Sequence, residues 1–318
     1  MSSSLIFQIT IFIFCFILVW YSSDIVVTTI SSLSKSWRLP AFTVSFFILG
    51  LLTSLPEITI SAVALMNNDP VIIAGNLLGG VIIMFLVVIP LLGLIGNGVK
   101  IPTQLDKKLL VSTLIVVVAP AFLTADQKIS QWEAAFLILL YLSLLVFFSF
   151  RQSFFSKIKH SFSRKKTNSH KFLFKIIVGV LILIAASYQI VQSTIYLANY
   201  FSISSFFVGL IIIALGTNIP EIAIIFRSVN KNKKSVALAD YLGSASSNTL
   251  LLGVFTIIYG KTIHLPAHFF QRFMFLALGL ILFFFFARSR NHLSRLESLI
   301  LLSLYFIFVI IEIYILTQ

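Results

Sequence analysis

Thr53-Ser54-Leu55-Pro56-Glu57 places a proline and an acid inside an apolar run from about Ala41 to Met66. Such a run is long enough to cross a bilayer. A carboxylate at mid-membrane depth costs about 2.5–3.5 kcal/mol on insertion scales, so Glu57 reads as a functional residue. Pro56 lacks a backbone donor and clashes with the carbonyl four residues earlier, so the helix should break or kink just before the acid. Carbonyls freed near Thr53, beside the Thr53 and Ser54 hydroxyls and a carboxylate, would suit a hard cation.

The stretch recurs as Thr217-Asn218-Ile219-Pro220-Glu221, 164 residues on, the step from Glu57 to Glu221. The same step carries Gly79 onto Gly243, Asn76 onto Asp240, Ser23 onto Ser187 and Thr29 onto Ser193. A constant offset over four segments indicates an internal duplication with one acid per half.

The wider chain fits a membrane protein with many spans. Of 318 residues, 59% are hydrophobic and 10% charged, with a mean hydropathy of +1.06. No soluble domain of this size has that composition. Ten apolar segments can be drawn, at roughly 5–32, 41–65, 70–97, 108–125, 131–150, 172–199, 205–227, 235–259, 267–287 and 296–316. Alternating the loops between two sides puts twenty of the 23 Lys and Arg on one side, leaving only Lys128, Lys261 and Arg272 on the other. The rich side is cytoplasmic by the positive-inside rule, and both termini are then outside. Five spans per half is odd, so the second half enters the membrane upside down. The expected fold is all-α: ten transmembrane helices in two inverted five-helix repeats, 1–150 and 172–318, joined by a basic cytoplasmic linker at 151–171.

That distribution explains the net charge of +13 without nucleic acid. The linker is Ser-rich with Phe154, Phe155 and Phe162 interleaved, and reads as a solvated tether, with lipid sensing as the alternative. The lone Cys15 offers no intrachain disulfide, and Met1-Ser-Ser-Ser-Leu has no basic start for a cleavable signal. No Walker A loop and no His-Glu-x-x-His run occurs. His264 and His268 are separated by Pro266, which spoils a helical zinc pair.

Two further stretches accompany the Pro-Glu motifs. Gly75-Asn76-Leu77-Leu78-Gly79-Gly80 leads to Met84, and Asp240-Tyr241-Leu242-Gly243-Ser244 leads to Ser247 and Asn248. Gly75 and Gly79 permit close helix approach, whether for packing or for a site. Ser244, Ser247 and Asn248 share one helical face.

The pair of Pro-Glu motifs, each followed by such a Gly-Asn or Ala-Asp stretch, resembles the sodium/calcium exchanger, or calcium/cation antiporter, superfamily over most of the chain. The resemblance implies an ion centre that takes Ca²⁺ and Na⁺ in alternation. It places ligands on Thr53, Ser54 and Glu57, and on Thr217, Asn218, Glu221, Ser244 and Asn248. The chain departs from the family pattern at Gly80, Met84, Asn218, Asp240 and Asn248. Asp240 stands eight residues before Asn248, about 12 Å along a helix, which suggests a place nearer the cytoplasmic mouth. Two glutamates neutralise one Ca²⁺ and match two monovalent ions or protons better than three Na⁺. The expected function is therefore secondary cation antiport across a bacterial or archaeal plasma membrane. Ca²⁺ or another divalent cation, with Na⁺ or H⁺, would be the transported substrates. No resident cofactor, no enzymatic activity and no nucleic-acid partner are expected. The alternatives are a non-transporting scaffold or sensor, or a proton-coupled exchanger of another cation.

Overall fold

The computed structural model describes residues 3–34, 44–103, 105–152, 169–265 and 269–316. Lys35, Arg38, His268 and most of the expected linker lie outside the described residues.

Among the described residues the architecture is all-α, with four strands of two residues each. Among the described residues, eight helices are long and apolar enough to cross a membrane, or nine when the bent pair Ser45–Thr53 and Leu55–Met66 counts as one span. The expected segment at 267–287 corresponds to the Phe269–Ser289 helix.

The duplication extends to the backbone. Helical turns of the wide π type run over Val44–Leu49 and Val208–Ile213. Short helices Gly50–Thr53 and Ala214–Thr217 follow. Next come Leu55–Met66 and Ile219–Asn230, then the spans Pro70–Ile95 and Lys234–Tyr259. Gln131–Gln152 and Arg295–Leu316 make the last matched pair. Every pair keeps the step from Glu57 to Glu221. The local chemistry is duplicated too. Ser130 with Glu133, and Ser294 with Glu297, form the same reciprocal cap, each carboxylate accepting from the serine N–H at 2.7 Å.

One difference between the halves is a second π turn at Met84–Val88, which interrupts the first-half span. Its counterpart is continuous α-helix through Asn248. Wide turns of this kind cluster at functional sites.

Glycines bring the halves together. A Cβ on Gly79 would strike the Leu210 carbonyl, and one on Gly243 would strike the Phe46 carbonyl. Gly79 and Gly243 are equivalent, as are Phe46 and Leu210. Each half therefore lays its π turn across the glycine of the other. The contact is backbone against backbone, which only glycine permits.

The strands tie loops together across the halves. β1 (Val99–Lys100) pairs antiparallel with β4 (His292–Leu293), and β2 (Lys128–Ile129) with β3 (Ile263–His264). The first and last pair at one place and the middle two at another. Nearby, Lys234 donates to the Gly96 carbonyl at 2.5 Å and the Gly98 carbonyl at 2.9 Å, which caps the end of the Pro70–Ile95 span with a cation. The helices Ser3–Ser34 and Ser169–Phe201 pack along each other, and Ser193 donates to Gln8 at 3.0 Å.

Candidate functional site

The two breaks in the helices build the site. The first-half chain bends by 44° between Thr53 and Leu55. In both halves one residue separates the helices, Ser54 and Asn218, and the proline is the second residue of the new helix. A missing N–H costs nothing there, so Pro56 and Pro220 start a helix rather than interrupt one. The expected break is present. The expected vacant carbonyls are partly filled. Thr53 and Ser54 donate to the Gly50 carbonyl at 3.2 and 2.9 Å. Thr217 and Asn218 do the same to Ala214 at 3.2 and 2.8 Å.

All eight expected ligands are buried: Thr53, Ser54, Glu57, Thr217, Asn218, Glu221, Ser244 and Asn248. The contacts among them cross between the halves. Thr53 donates to Asp240 Oδ1 at 3.5 Å, and Thr217, its equivalent, donates to Asn76 Oδ1 at 3.4 Å. Ser54 Oγ lies 3.2 Å from Ser244 Oγ. Asp240, Ser244 and Asn248 recur every four residues, so they line one face of the Lys234–Tyr259 helix along the first-half break.

The equivalent of the Ser54–Ser244 contact is Asn218 against Gly80. A Cβ on Gly80 would lie 3.6 Å from Asn218 Nδ2 and 2.7 Å from Asn248 Nδ2. Three departures from the family pattern therefore meet at one point. The larger Asn218 and the inward Asn248 occupy space that a side chain at 80 would need. Asn248 also donates to the Leu77 carbonyl at 3.2 Å. Met84 is buried among apolar neighbours and brings no hard oxygen.

Acceptor oxygens dominate the centre. Both Glu221 carboxyl oxygens, Glu57 Oε2, Asp240 Oδ2 and Asn248 Oδ1 are buried without a hydrogen-bond partner. Glu57 and Asp240 each act electrostatically on Glu221. Among the described residues Glu57, Glu221 and Asp240 form no ion pair, whereas Lys128 and Asp126 pair at the surface, so no described cationic side chain offsets these acids. Buried charges normally are paired or bind metal. Among the described residues no three His, Cys, Asp or Glu side chains are gathered tightly enough to hold one ion by themselves. A cation here would need hydroxyl, amide and carbonyl oxygens beside the carboxylates, as Ca²⁺ accepts.

The structure adds a contact to the reading of Asp240: the crossing first-half break brings Thr53 against it. The signal was available: the duplication pairs Asn76 with Asp240, and both receive a threonine from the opposite half. Tyr241 was also passed over. Its hydroxyl donates to the Glu221 carbonyl at 3.0 Å and fixes the second break from behind.

Similarities to known proteins identify the family and the fold. The E. coli inner membrane protein YrbG is 27% identical over 244 residues, covering 74% of this chain and 75% of that protein. The putative antiporter CaxA of Alkalimonas amylolytica is 26% identical over 90% of this chain and 92% of its own. A solved structure of the sodium-calcium exchanger NCX_Mj superposes with a TM-score of 0.68 at 24% identity, covering 95% of this chain and 97% of that one. At that identity the likeness is one of fold. The profile of the family described as sodium/calcium exchanger protein matches twice, over residues 7–150 and 171–314, one match for each copy of the duplicated break. This chain, with a buried acid at each of two matched helix breaks, belongs to the sodium/calcium exchanger protein family.

Proposed function

We propose that the protein is a secondary antiporter that exchanges Ca²⁺, or a similar divalent cation, for Na⁺ or H⁺ at a site between Glu57 and Glu221. One observation carries the reading: carboxylate oxygens from both halves are buried, unpartnered and uncompensated by any cationic side chain among the described residues. Leaving such groups without a ligand is costly. Thr53, Ser54, Thr217, Asn218, Ser244 and Asn248 complete the oxygen shell. The family relationship and the name of CaxA point the same way.

The site sits where two inverted repeats, 1–150 and 172–318, would meet, with 151–171 as the tether. The strand pairing supports inversion. β1 pairs with β4 rather than with its own equivalent β3, and β4 is the equivalent of β2. β1 and β2 flank the single helix Lys107–Leu123, so they lie on opposite faces if that helix spans. Equivalent loops then exchange faces between halves. The same pairing joins loops that the Lys and Arg distribution assigns to one side, in keeping with ten spans and outside termini. Alternating access would move the paired helices Ser3–Ser34 and Ser169–Phe201 over the fixed centre. Polar contacts join Ser169–Phe201 to the second span: Thr59 with Ser187 at 2.7 Å and Gln192 to Asn67 at 2.5 Å.

The test is Ca²⁺ uptake by sealed vesicles containing the purified protein. Uptake should follow an outward Na⁺ or H⁺ gradient and vanish when the gradient is collapsed. Absence of uptake under every gradient would favour the non-transporting reading and end this one.

The topology gives an independent expectation. A cysteine introduced at position 2 and one at position 165, in Cys15→Ser protein, should react with impermeant reagent from opposite faces, with 165 cytoplasmic. Reaction from one face would remove both the ten-span count and the inversion.

A further inference from the structure

Side chains fasten a moving helix to a fixed one on one side of the centre. Ser187, on the Ser169–Phe201 helix, lies 2.7 Å from the hydroxyl of Thr59, two residues beyond Glu57, and both are buried. Thr59 points its own proton at the Leu55 and Pro56 carbonyls, at 3.0 and 2.9 Å. Its oxygen is left to accept, so Ser187 donates. Further along, Gln192 Nε2 donates to Asn67 Oδ1 at 2.5 Å. Asn67 Nδ2 donates to the Val63 carbonyl at 2.8 Å, which turns the amide oxygen toward Gln192. Each acceptor on the fixed side is thus set by its own helix, independently of the moving one.

Thr59 and Asn67 are eight residues apart, about 12 Å along the helix. Leu55–Met66 runs outward from the break under the Lys and Arg distribution. The two rungs therefore span the outer half, from the depth of Glu57 to the surface. The other copy of the duplication lacks the residues. The step from Glu57 to Glu221 carries Thr59 onto Ala223 and Asn67 onto Lys231, while Ser187 and Gln192 correspond to Ser23 and Thr28. Alanine offers no hydroxyl, and Lys231 is an exposed, strongly hydrated cation. Packing differs in the same sense. Ser169–Phe201 lies closely along Leu55–Met66, whereas among the described residues Ser3–Ser34 touches Ile219–Asn230 at few points.

We infer that Ser187–Thr59 and Gln192–Asn67 form a latch that holds the moving helices closed over the outer half of the centre, so that the ion-free protein favours the state shut to the outside. The inference rests on the antiport reading above, whose moving helices it uses. Two inverted repeats of identical sequence would make the outer and inner closed states equally stable. A latch in one half alone breaks that balance. Opening the outer side must break both rungs, because they join the parts that separate. The contact of Ser193 with Gln8 joins the two moving helices to each other and is kept. Loss of one side-chain hydrogen bond between membrane helices shifts such an equilibrium about threefold to fivefold. Loss of two shifts it about tenfold or more.

Ser61 supplies the reporter. It lies one turn beyond Glu57 on the same face, fully buried, and its hydroxyl has no partner. Its equivalent beyond Glu221 is Ile225, also fully buried. Each is changed singly to cysteine in full-length Cys15→Ser protein. Reaction with an impermeant thiol reagent is timed in buffer free of Na⁺ and Ca²⁺. Ser61→Cys is probed from outside in right-side-out vesicles, and Ile225→Cys from the cytoplasmic face in inverted ones. Ser187→Ala and Gln192→Leu should each raise the outer rate about threefold to fivefold, and together about tenfold or more. The inner rate should fall in the same proteins. Opposite changes mark a shifted equilibrium, since a loosened fold would react faster at both positions. An outer rate unchanged in the double variant overturns the latch, and so does a rise at both positions. With Na⁺- or H⁺-driven Ca²⁺ uptake by the wild type present, those results leave the antiport reading standing. No uptake by the wild type under any gradient overturns the antiport reading and the latch with it.

Discussion

Glu57→Gln and Glu221→Gln should each lower Ca²⁺ flux by about a hundredfold or more. Each change removes one of the charges that set the affinity of an oxygen site for a divalent ion, and such sites span orders of magnitude with charge count. The fold should survive. Neither glutamate pairs with a cationic side chain among the described residues, and glutamine is isosteric. Removing a buried uncompensated charge relieves strain on the fold, so the variants should melt at or above the wild-type temperature in Ca²⁺-free detergent. Low flux together with unchanged or raised melting identifies a ligand. Low flux with lowered melting would instead make the glutamate a structural residue, and near-wild-type flux would remove it from the centre.

The second large effect is on assembly. Gly243→Ala drives a methyl group into the Phe46 carbonyl, and Gly79→Ala drives one into the Leu210 carbonyl. Overpacking of this kind costs about 1–3 kcal/mol. The obstructing atoms are backbone, which cannot swing aside as a side chain can, so the upper part of that range applies. Both variants should show lowered melting midpoints, and by similar amounts, because the two crossings are equivalent. Gly260→Ala is the contrast: it meets no neighbour within 4 Å, although its backbone angle of +73° makes alanine mildly strained there. A destabilisation in Gly243→Ala no larger than in Gly260→Ala would refute the close crossing of the π turn over Gly243.

Much of this was legible because the chain repeats itself. Proline and glutamate at one offset located both breaks, and glycine at the same offset located both crossings. These are residue types that an apolar helix does not carry without reason. What stayed hidden depends on contacts between halves. Val44–Leu49 is a plain apolar stretch, and nothing in its composition distinguishes a π turn from ordinary helix. Gly80, Asn218 and Asn248 looked like three separate departures, yet they are one packing solution in which side-chain volume moves from one position to two others. The contact of Asp240 with Thr53 stayed hidden because distance along its own helix says nothing of the helix that crosses it. The two-residue strands are too short to leave a pattern, although they tie the loops of opposite halves together.

The central claim is that the duplicated breaks hold the transported cation between Glu57 and Glu221. Anomalous diffraction from crystals of the purified protein soaked in Sr²⁺, a heavier analogue of Ca²⁺, tests it most directly. The account predicts one strong peak within about 2.3–2.7 Å of oxygens from both glutamates, with loss of that peak in Glu57→Gln. A Sr²⁺ peak elsewhere in the protein, with density between the two carboxylates that does not change on soaking, would contradict it.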